Sequence, residues 1–219
     1  MFPAAVRAIV FDVVGTLVEP HPAVADAYHR AAGRHGVACD VAEIGRRFRS
    51  AWIRQEAIDA AATPAFATDQ DRERRRWREI VAEVFAGAPE SDAIFIDLWE
   101  SFARPAAWRP LPAGVHLARA ARDAGLTVAL ASNFDGRLFP LARAIEPLSW
   151  AEHVFVSAEI GWRKPAAEFF RVVEGRLGLT APEVLIVGDD PELDVAAGRR
   201  AGWHAWDVAT ASATSRGRA

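Results

Sequence analysis

Three short apolar runs in this sequence each stop at polar residues. The runs are rich in β-branched residues, as the buried strands of a parallel sheet are. Each run and its polar end are, in chain order, VRAIVF (residues 6–11) before Asp12, LTVALA (126–131) before Ser132 and Asn133, and VLIV (184–187) before Gly188, Asp189 and Asp190. The carboxyl ends of parallel strands line the ligand crevice of an open sheet, so we expect these polar residues to meet at one edge.

Helical patterns alternate with strands in the second half of the chain, which predicts an α/β fold with a doubly wound parallel sheet. The other predicted elements are helices over residues 114–124, 138–145, 165–177 and 192–201, and short strands over 153–156 and 203–206. Pro165 suits the first turn of its helix, and Lys164 just before it can point into the crevice. Residues 13–20 are interpreted as a turn or flap.

Residues 21–103 have a different pattern, with charged and apolar residues at helical spacing and no convincing strand. They predict an all-helical insert with helices over 23–35, 41–58, 71–85 and 92–102. Prolines within residues 104–112 predict a stiff linker back to the sheet. The expected organisation is a core of residues 1–20 and 104–208, an insert of residues 21–103, and a small, polar, disordered tail of residues 209–219.

Composition narrows the setting and the partners. The net charge is −3, so no basic surface indicates a nucleic-acid partner. The single cysteine, Cys39, excludes an internal disulfide and favours a reducing compartment. No apolar run approaches the roughly 18 residues of a membrane span, and no signal-peptide pattern is present. We expect a cytoplasmic protein with no membrane partner, either a monomer or a homodimer.

The polar residues at the strand ends form a chemically coherent set. A carboxylate such as that of Asp12 can attack phosphorus or carbon and form a covalent intermediate. Ser132 can hold an anionic oxygen, and Lys164 can neutralise charge on both nucleophile and substrate. The acidic residues within 189–194 need a cation, and their hard oxygen ligands favour Mg²⁺.

These residues, in order and at matching intervals, resemble the four motifs of the haloacid dehalogenase (HAD) superfamily. The motifs in this chain are Asp12-Val13-Val14-Gly15-Thr16-Leu17, Ser132-Asn133, Lys164-Pro165, and Gly188-Asp189-Asp190 followed by Asp194. The resemblance runs from the first strand to about residue 206 and is closest to the REG-2-like group of subfamily IA. It implies a Rossmann-like core, and it makes the helical insert similar to a C1 cap.

The resemblance also implies roles for individual residues. Asp12 would be the catalytic nucleophile, and Lys164 would act with it by bridging the nucleophile and the phosphate. The implied Mg²⁺ ligands are Asp12, the backbone carbonyl of Val14, and Asp189, with Asp190 and Asp194 in support. The implied substrate-binding residues are Thr16, Ser132, Asn133 and Lys164. The expected substrate is a small phosphorylated metabolite, which the sequence of the insert does not name.

Val14 departs from the pattern of the superfamily's phosphatases, which usually carry a second aspartate two residues after the nucleophile. That aspartate protonates the leaving oxygen and later activates water, and the loss of such a group typically costs about 10²- to 10⁴-fold in rate. The backbone carbonyl of Val14 is unaffected, so a metal site can persist without the acid. Candidate replacements in flanking loops are Glu19, His21 and Asp135. A substrate with a good leaving group, such as an acyl or aryl phosphate, needs the acid least.

Two other functions remain open beside Mg²⁺-dependent phosphate-ester hydrolysis. In 2-haloacid dehalogenation halide leaves without a proton, which Val14 permits, but the acidic residues within 189–194 would repel a haloacid's carboxylate. We therefore rank dehalogenation lower. A catalytically degenerate protein that only binds a phosphorylated ligand is the second alternative, and Val14 is the observation that supports it.

Two further groups of residues in or near the insert have structural interpretations. Trp52, Trp77 and Trp99 fall on predicted helices and are interpreted as packing anchors. Trp162 lies two residues before Lys164, where both a pocket-lining and a structural role are possible. The charged run over residues 72–78 predicts a solvated helix face.

Overall fold

A five-stranded parallel sheet forms the centre of the computed structural model, which describes residues 2–211. The strands, in chain order, are β1 (Ala8–Phe11), β2 (Val18–Pro20), β3 (Trp108–Pro110), β4 (Thr127–Ser132), β5 (His153–Val156), β6 (Val184–Gly188) and β7 (His204–Asp207). The sheet order is β5-β4-β1-β6-β7, with the first strand at its centre. The predicted α/β fold is confirmed.

Helices cover both faces of the sheet. They are α1 (Val24–Arg34), α2 (Val41–Ala61), α3 (Gln70–Val84), α4 (Ser91–Ser101), α5 (Pro112–Asp123), α6 (Leu138–Ala144), α7 (Ser157–Ile160), α8 (Ala167–Leu177) and α9 (Ala197–Arg200). Successive side chains of β1 point to opposite faces. Ile9 and Phe11 join an apolar cluster that includes Leu117 of α5. Val10, between them, joins a second cluster that includes Phe169 of α8. This arrangement explains why the strand is apolar throughout.

The first four helices pack on one another around their own apolar cluster. Each contributes a fully buried side chain: Tyr28, Ile44, Ile80 and Ile94, in helix order. Asp40 caps α2 by accepting hydrogen bonds from two amides of its first turn, which sets where the helix begins. The insert therefore has an apolar core separate from the two clusters that flank the sheet.

A short antiparallel ribbon connects the insert to the sheet. Strand β2 leads into the insert, and β3 returns from it, with Glu19 opposite Arg109. Residues 13–20 were predicted as a turn and 104–112 as a linker, so the strands within them were missed. Each has three residues, and each includes a proline, so neither shows a strand pattern in the sequence.

Several helix starts differ from the predictions, and α5 begins at Pro112, two residues before its predicted start. Helix α8 begins at Ala167, after Pro165 rather than around it, because the amide of Arg163 donates to the carbonyl of Phe66 and holds this segment against the insert. The segment predicted as a helix over 192–201 begins as a π-helix at Pro191–Ala196 and continues as α9. The Asp190 side chain accepts hydrogen bonds from two amides at that start.

The chain end differs from the prediction in part. Residues 208–211 are helical, and Val208 is buried in the sheet's first apolar cluster. The remainder of the predicted disordered tail, residues 212–219, lies outside the described residues.

A largely buried group of charges, in which Glu56 and Arg72 are half-buried, joins the insert to the core, and we name it the junction cluster. Its members are Glu56 and Asp59 of α2, Arg72, Glu73 and Arg76 of α3, and Arg163 of the core. Arg163 donates to Glu73 at 2.5 Å and to Glu56 at 3.2 Å. Glu73 and Arg76 are each 1% exposed, so the prediction of a solvated face over residues 72–78 was wrong for them. Their ion-pair partners lie on α2 and in the core, and Glu73 also accepts a hydrogen bond from Thr68.

Candidate active site

Asp12 lies at the carboxyl end of the central strand, in a position that the sheet itself fixes. Its backbone amide donates to the carbonyl of Val187 at 2.9 Å, which continues the pairing of β1 with β6. Its side chain is buried with 8% exposure. Ser132, the last residue of β4, and Asp189, the first residue after β6, lie at the same edge of the sheet. The strand ends therefore bring together residues that are far apart in the chain.

Lys164 reaches this edge from the loop before α8. Its Nζ donates to Oδ1 of Asp12 at 2.8 Å, to Oδ1 of Asp194 at 2.6 Å, and to the carbonyl of Ala131 at 3.0 Å. The Asn133 side chain holds the lysine backbone on both sides, since it accepts from the Lys164 amide and donates to the Lys164 carbonyl. Asn133, predicted to bind substrate, thus positions Lys164 while also lining the cavity described below.

Three carboxylates lie next to one another beside this lysine. Oxygen atoms of Asp12, Asp189 and Asp194 are all within 4.8 Å of one another. Thr16, also predicted to bind substrate, donates from its Oγ1 to Oδ1 of Asp189 at 2.9 Å. We name Asp12, Lys164, Asp189 and Asp194 the carboxylate site. Within the part of the chain that the structure describes, Lys164 is the cation that pairs with this site, through Asp12 and Asp194.

Two glycines make this close approach of carboxylates possible. Gly15 has a φ of +90°, and a Cβ placed on it would overlap the carboxylate of Asp189. A Cβ on Gly188 would overlap the carboxylate of Asp194 in the same way. Any larger residue at either position would therefore push an acidic side chain out of the site.

Burial and repulsion act together on the acidic groups. Burial raises the pKa of Asp12 to about 7, against the attraction of Lys164, and the charges of Asp194 and Asp189 act in the same direction as burial. Burial also raises the pKa of Asp189, although the hydrogen bond from Thr16 opposes this. For Lys164, burial lowers the pKa, but the attraction of Asp12 and Asp194 outweighs it and keeps the pKa above its usual value. The ammonium is therefore retained.

The donor set of the carboxylate site fits a hard cation. Carboxylate oxygens are ligands that Mg²⁺ and similar ions prefer, and a divalent ion would offset the excess negative charge. Asp190, predicted to support the metal, instead uses its Oδ1 to cap the π-helix. Val14 lines the same cavity and provides no acid. The aspartates can thus hold a metal ion.

None of the predicted replacements for the missing acid lines the cavity. Glu19 pairs with Arg109 on the ribbon surface. The backbone amide of His21 donates to Ala107, and its side chain is exposed. Asp135 is 1% exposed and both of its oxygens accept hydrogen bonds from Arg137.

A cavity of 510 Å³ extends from the carboxylate site into the insert. Its sheet end includes the four members of the carboxylate site and Ser132. Its insert end is lined mainly by rings, among them Phe48, Trp52, Trp77, Phe95, Trp99 and Phe102. Three of these are the tryptophans interpreted as packing anchors, and they both pack on the insert's apolar cluster and face the cavity. Trp162 packs against the sheet's second apolar cluster.

Several lining residues outside the insert were not recognised from the sequence, among them Pro20 and Leu193. Trp108, Phe134 and Arg137 line the cavity from the core. Phe134 and Arg137 belong to the segment that follows Ser132, so the second motif itself was the available signal for them. Trp108 gave none, because its strand was not predicted.

Comparison with known proteins agrees with this geometry. Residues 6–202 match the family described as haloacid dehalogenase-like hydrolase. The chain belongs to this family. The prediction that the chain is a HAD hydrolase is therefore confirmed.

Curated relatives support the finer assignment. The mouse haloacid dehalogenase-like hydrolase domain-containing protein 3 is 27% identical over 209 residues, which cover 93% of this chain and 82% of that protein. The rhythmically expressed gene 2 protein of Drosophila melanogaster is 26% identical over 217 residues, covering 90% and 81%. These relatives are consistent with the predicted REG-2-like group of subfamily IA.

Solved structures share the fold. The putative HAD-hydrolase YfnB of Bacillus subtilis, bound to magnesium, aligns with a TM-score of 0.65 and 18% identity over 91% of this chain and 87% of its own. The L-2-haloacid dehalogenase of Xanthobacter autotrophicus aligns with a TM-score of 0.69 and 23% identity, covering 91% and 76%. Both similarities concern the fold alone. Within residues 2–211, no helix has the length and apolar character that crossing a membrane requires.

Proposed function

We propose that this HAD hydrolase cleaves small phosphate esters with the help of Mg²⁺, through a phosphorylated Asp12. The observation that carries the proposal is the charge imbalance of the carboxylate site, where three acidic groups lie within 4.8 Å of one another beside one lysine. An incoming phosphate would be repelled by this site unless a cation were bound there. The proposal therefore requires a divalent ion.

Each residue of the site has a role in this proposal. Asp12, Asp189 and the backbone carbonyl of Val14 would hold Mg²⁺, which supplies positive charge that screens the repulsion between nucleophile and phosphate. Asp12 attacks phosphorus with its free oxygen. Lys164 stabilises charge on the transferring phosphoryl group, and Asp194 keeps its ammonium in place through the 2.6 Å contact. Ser132 at the end of β4 donates to a phosphate oxygen.

The helical insert completes the site. We propose that residues 21–103 act as a cap over a core of residues 1–20 and 104–208, since the cavity has lining residues in both parts. The cap excludes water and contacts the part of the substrate that lies beyond the phosphate.

The charge imbalance of the carboxylate site also makes dehalogenation a weaker alternative. A haloacid carries a carboxylate, and the three acidic groups would repel it if no metal were bound. A protein that binds a phosphorylated ligand without turnover remains the outcome that Val14 favours if hydrolysis fails.

The test is release of inorganic phosphate with Mg²⁺ or with a chelator, from acetyl phosphate, 2-naphthyl phosphate and glycerol 3-phosphate. We expect turnover with Mg²⁺ that is lost in Asp12→Asn and retained in Asp123→Asn, a matched change at an exposed aspartate of α5. Halide release from 2-chloropropionate in the presence of chelator would overturn the proposal in favour of dehalogenation. Binding of these esters without any turnover would indicate the degenerate protein.

A further inference from the structure

The cavity is polar at one end and aromatic at the other. Asp12, Ser132 and Lys164 line the sheet end. Among the described residues that line it from the insert, none is acidic, and none is serine, threonine, asparagine or glutamine. A sugar or polyol moiety bonded to the phosphate would find few partners for its hydroxyl groups there. An apolar moiety would find a matching surface.

Four half-buried tryptophans line this cavity. Trp52, Trp77 and Trp99 come from α2, α3 and α4, and Trp108 comes from β3. Each is half-buried although a closed apolar core lies beside it. Trp52 and Trp77 contact each other at 5.7 Å between ring centres with an interplanar angle of 51°, an arrangement that presents two differently oriented faces. Flat rings that are only partly covered by their own protein are suited to stack on a flat ligand.

Arg137, the cationic side chain stacked on the rings, gives no free site for a second anionic group beside it. Arg137 donates from Nε and Nη2 to Asp135 at 2.8 and 2.7 Å, and its guanidinium lies 3.4 Å from the ring centre of Trp99. Its charge is thus neutralised by a buried carboxylate. Arg49 also lines the cavity, but it is solvent-exposed. The part of the ligand held by the rings is therefore expected to be uncharged.

The chemistry at Val14 selects the same kind of ligand independently. Without an acid at this position, the leaving oxygen departs as an anion. A phenol, with a pKa near 10 as in tyrosine, leaves as its anion far more readily than an aliphatic alcohol does. From the aromatic cavity and from Val14 together, we infer that the substrate is an aryl phosphate, the monophosphate ester of an uncharged aromatic alcohol. This inference rests on the proposed function.

The reaction balances without a further reactant. An oxygen of Asp12 forms a bond to phosphorus, the bond between phosphorus and the aryl oxygen breaks, and the phenolate leaves with the electron pair. Water then attacks the phosphorus of the acyl phosphate and releases inorganic phosphate, which restores the carboxylate. The water's oxygen and one hydrogen remain on the phosphate, and its other hydrogen reaches the phenolate through solvent.

Ring contacts can be tested by matched substitutions of tryptophan. We expect Trp52→Leu and Trp108→Leu to raise KM for 2-naphthyl phosphate about tenfold more than KM for acetyl phosphate, because stacking surface is lost. Trp150→Leu is the control, since Trp150 lies outside the cavity lining and contacts Arg119 and Arg122. Equal effects on the two substrates, or no effect on either, would overturn the inference.

A substitution that fills the cavity offers a test with less risk to folding. Gly45 lines the cavity within α2, and a Cβ added there would have Ala25 Cβ, at 3.9 Å, as its nearest neighbour. Leucine also favours a helix interior over glycine. We expect Gly45→Leu to remain folded and to lose far more activity toward 2-naphthyl phosphate than toward the smaller acetyl phosphate. Undiminished activity toward 2-naphthyl phosphate would contradict the inference.

Binding must be measured separately from turnover, so that the two proposals can fail separately. Calorimetry of Asp12→Asn with 2-naphthyl phosphate and Mg²⁺ is expected to show binding that Trp52→Leu weakens in the same background. If 2-naphthyl phosphate binds in this way but the wild type hydrolyses no ester, the proposed function is wrong and the inference of an aryl ligand stands. Efficient hydrolysis of glycerol 3-phosphate in preference to 2-naphthyl phosphate would sink the aryl inference and retain the proposed function.

Discussion

Arg163 and Lys164 are consecutive and both buried, yet they enter two charge clusters of opposite character. Arg163 belongs to the junction cluster, where three arginines meet three carboxylates. Lys164 belongs to the carboxylate site, where one ammonium meets three carboxylates. The first cluster is balanced within the described residues, whereas the second carries excess negative charge.

The two clusters also differ in what they face. The junction cluster lies between α2, α3 and the loop before α8, and its six members are absent from the cavity lining described above. The carboxylate site opens into that cavity. Buried charges that are fully paired hold parts of a fold together, and breaking such a pair is costly. Buried charges that are not balanced by the protein indicate a site for something the protein binds.

The largest effects are expected when the two neighbouring cations are replaced by the same apolar residue. Lys164→Met is expected to reduce phosphate-ester turnover to background, since no ammonium then faces the phosphate. Arg163→Met is expected to lower the free energy of unfolding by about 3–5 kcal/mol, because Glu73 loses its buried partner. Urea denaturation with and without Mg²⁺ compares the two variants with the wild type.

Mg²⁺ should distinguish the two variants further. It is expected to narrow the stability difference between Lys164→Met and the wild type, because it replaces the lost positive charge beside Asp12 and Asp194. The difference in free energy of unfolding between Arg163→Met and the wild type should be the same with and without Mg²⁺. If Mg²⁺ narrowed both differences equally, the contrast between the clusters would be wrong.

The next largest effect concerns the missing acid. Val14→Asp is expected to raise kcat for glycerol 3-phosphate by about 10²- to 10⁴-fold, because the aspartate can protonate an alkoxide leaving group. The gain for 2-naphthyl phosphate should be smaller, since a phenolate leaves without a proton and only the later activation of water would be restored. Val14→Asn has the same shape but cannot transfer the proton, and a similar gain in that variant would contradict the explanation.

Strand ends were the part of the site that the sequence predicted well. Asp12, Ser132 and Asp189 each follow an apolar run, and a parallel sheet brings such positions to one edge whatever lies between them. The fold class followed from the same local pattern. The excess of carboxylates at this edge was also visible, because three of the acidic residues come from two short motifs.

The features that the sequence did not predict depend on how distant parts of the chain pack together. Whether Arg76 is solvated or buried depends on which helix packs against α3, and its residue type favours exposure. Trp99 lies on α4 and Trp108 on β3, and only the fold makes both of them line one cavity. Strands β2 and β3 are short and are stabilised by pairing across about ninety residues, so local propensity carries little information about them.

A smaller effect is expected from pH, since Mg²⁺ should stabilise the protein more at high pH than at low pH. Asp12 in the fold has a pKa of about 7 because burial disfavours its charge, whereas an aspartate in the unfolded chain titrates near 4. The folded metal-free protein therefore holds a proton that the unfolded chain releases, and it loses stability as the pH rises from about 4 to about 7. Mg²⁺ needs the ionised carboxylate and competes with this proton.

Thermal melts with and without Mg²⁺ measure that competition. At a concentration of about one hundred times the dissociation constant, the ion should add about 2.7 kcal/mol near pH 8. Its effect near pH 6 should be clearly smaller, because part of the binding energy then goes into displacing the proton. A metal effect that did not vary between these pH values would contradict the role given to burial of Asp12.

Mg²⁺ titration by calorimetry tests most directly the claim that charge imbalance makes the carboxylate site a cation site. We expect a single saturable site in the wild type and in Asp123→Asn, and no detectable binding in Asp189→Asn, which removes one acidic charge while retaining the hydrogen bond that its amide oxygen can accept from Thr16. A wild type that binds no Mg²⁺, or an Asp189→Asn variant that binds it as tightly as the wild type, would contradict the account.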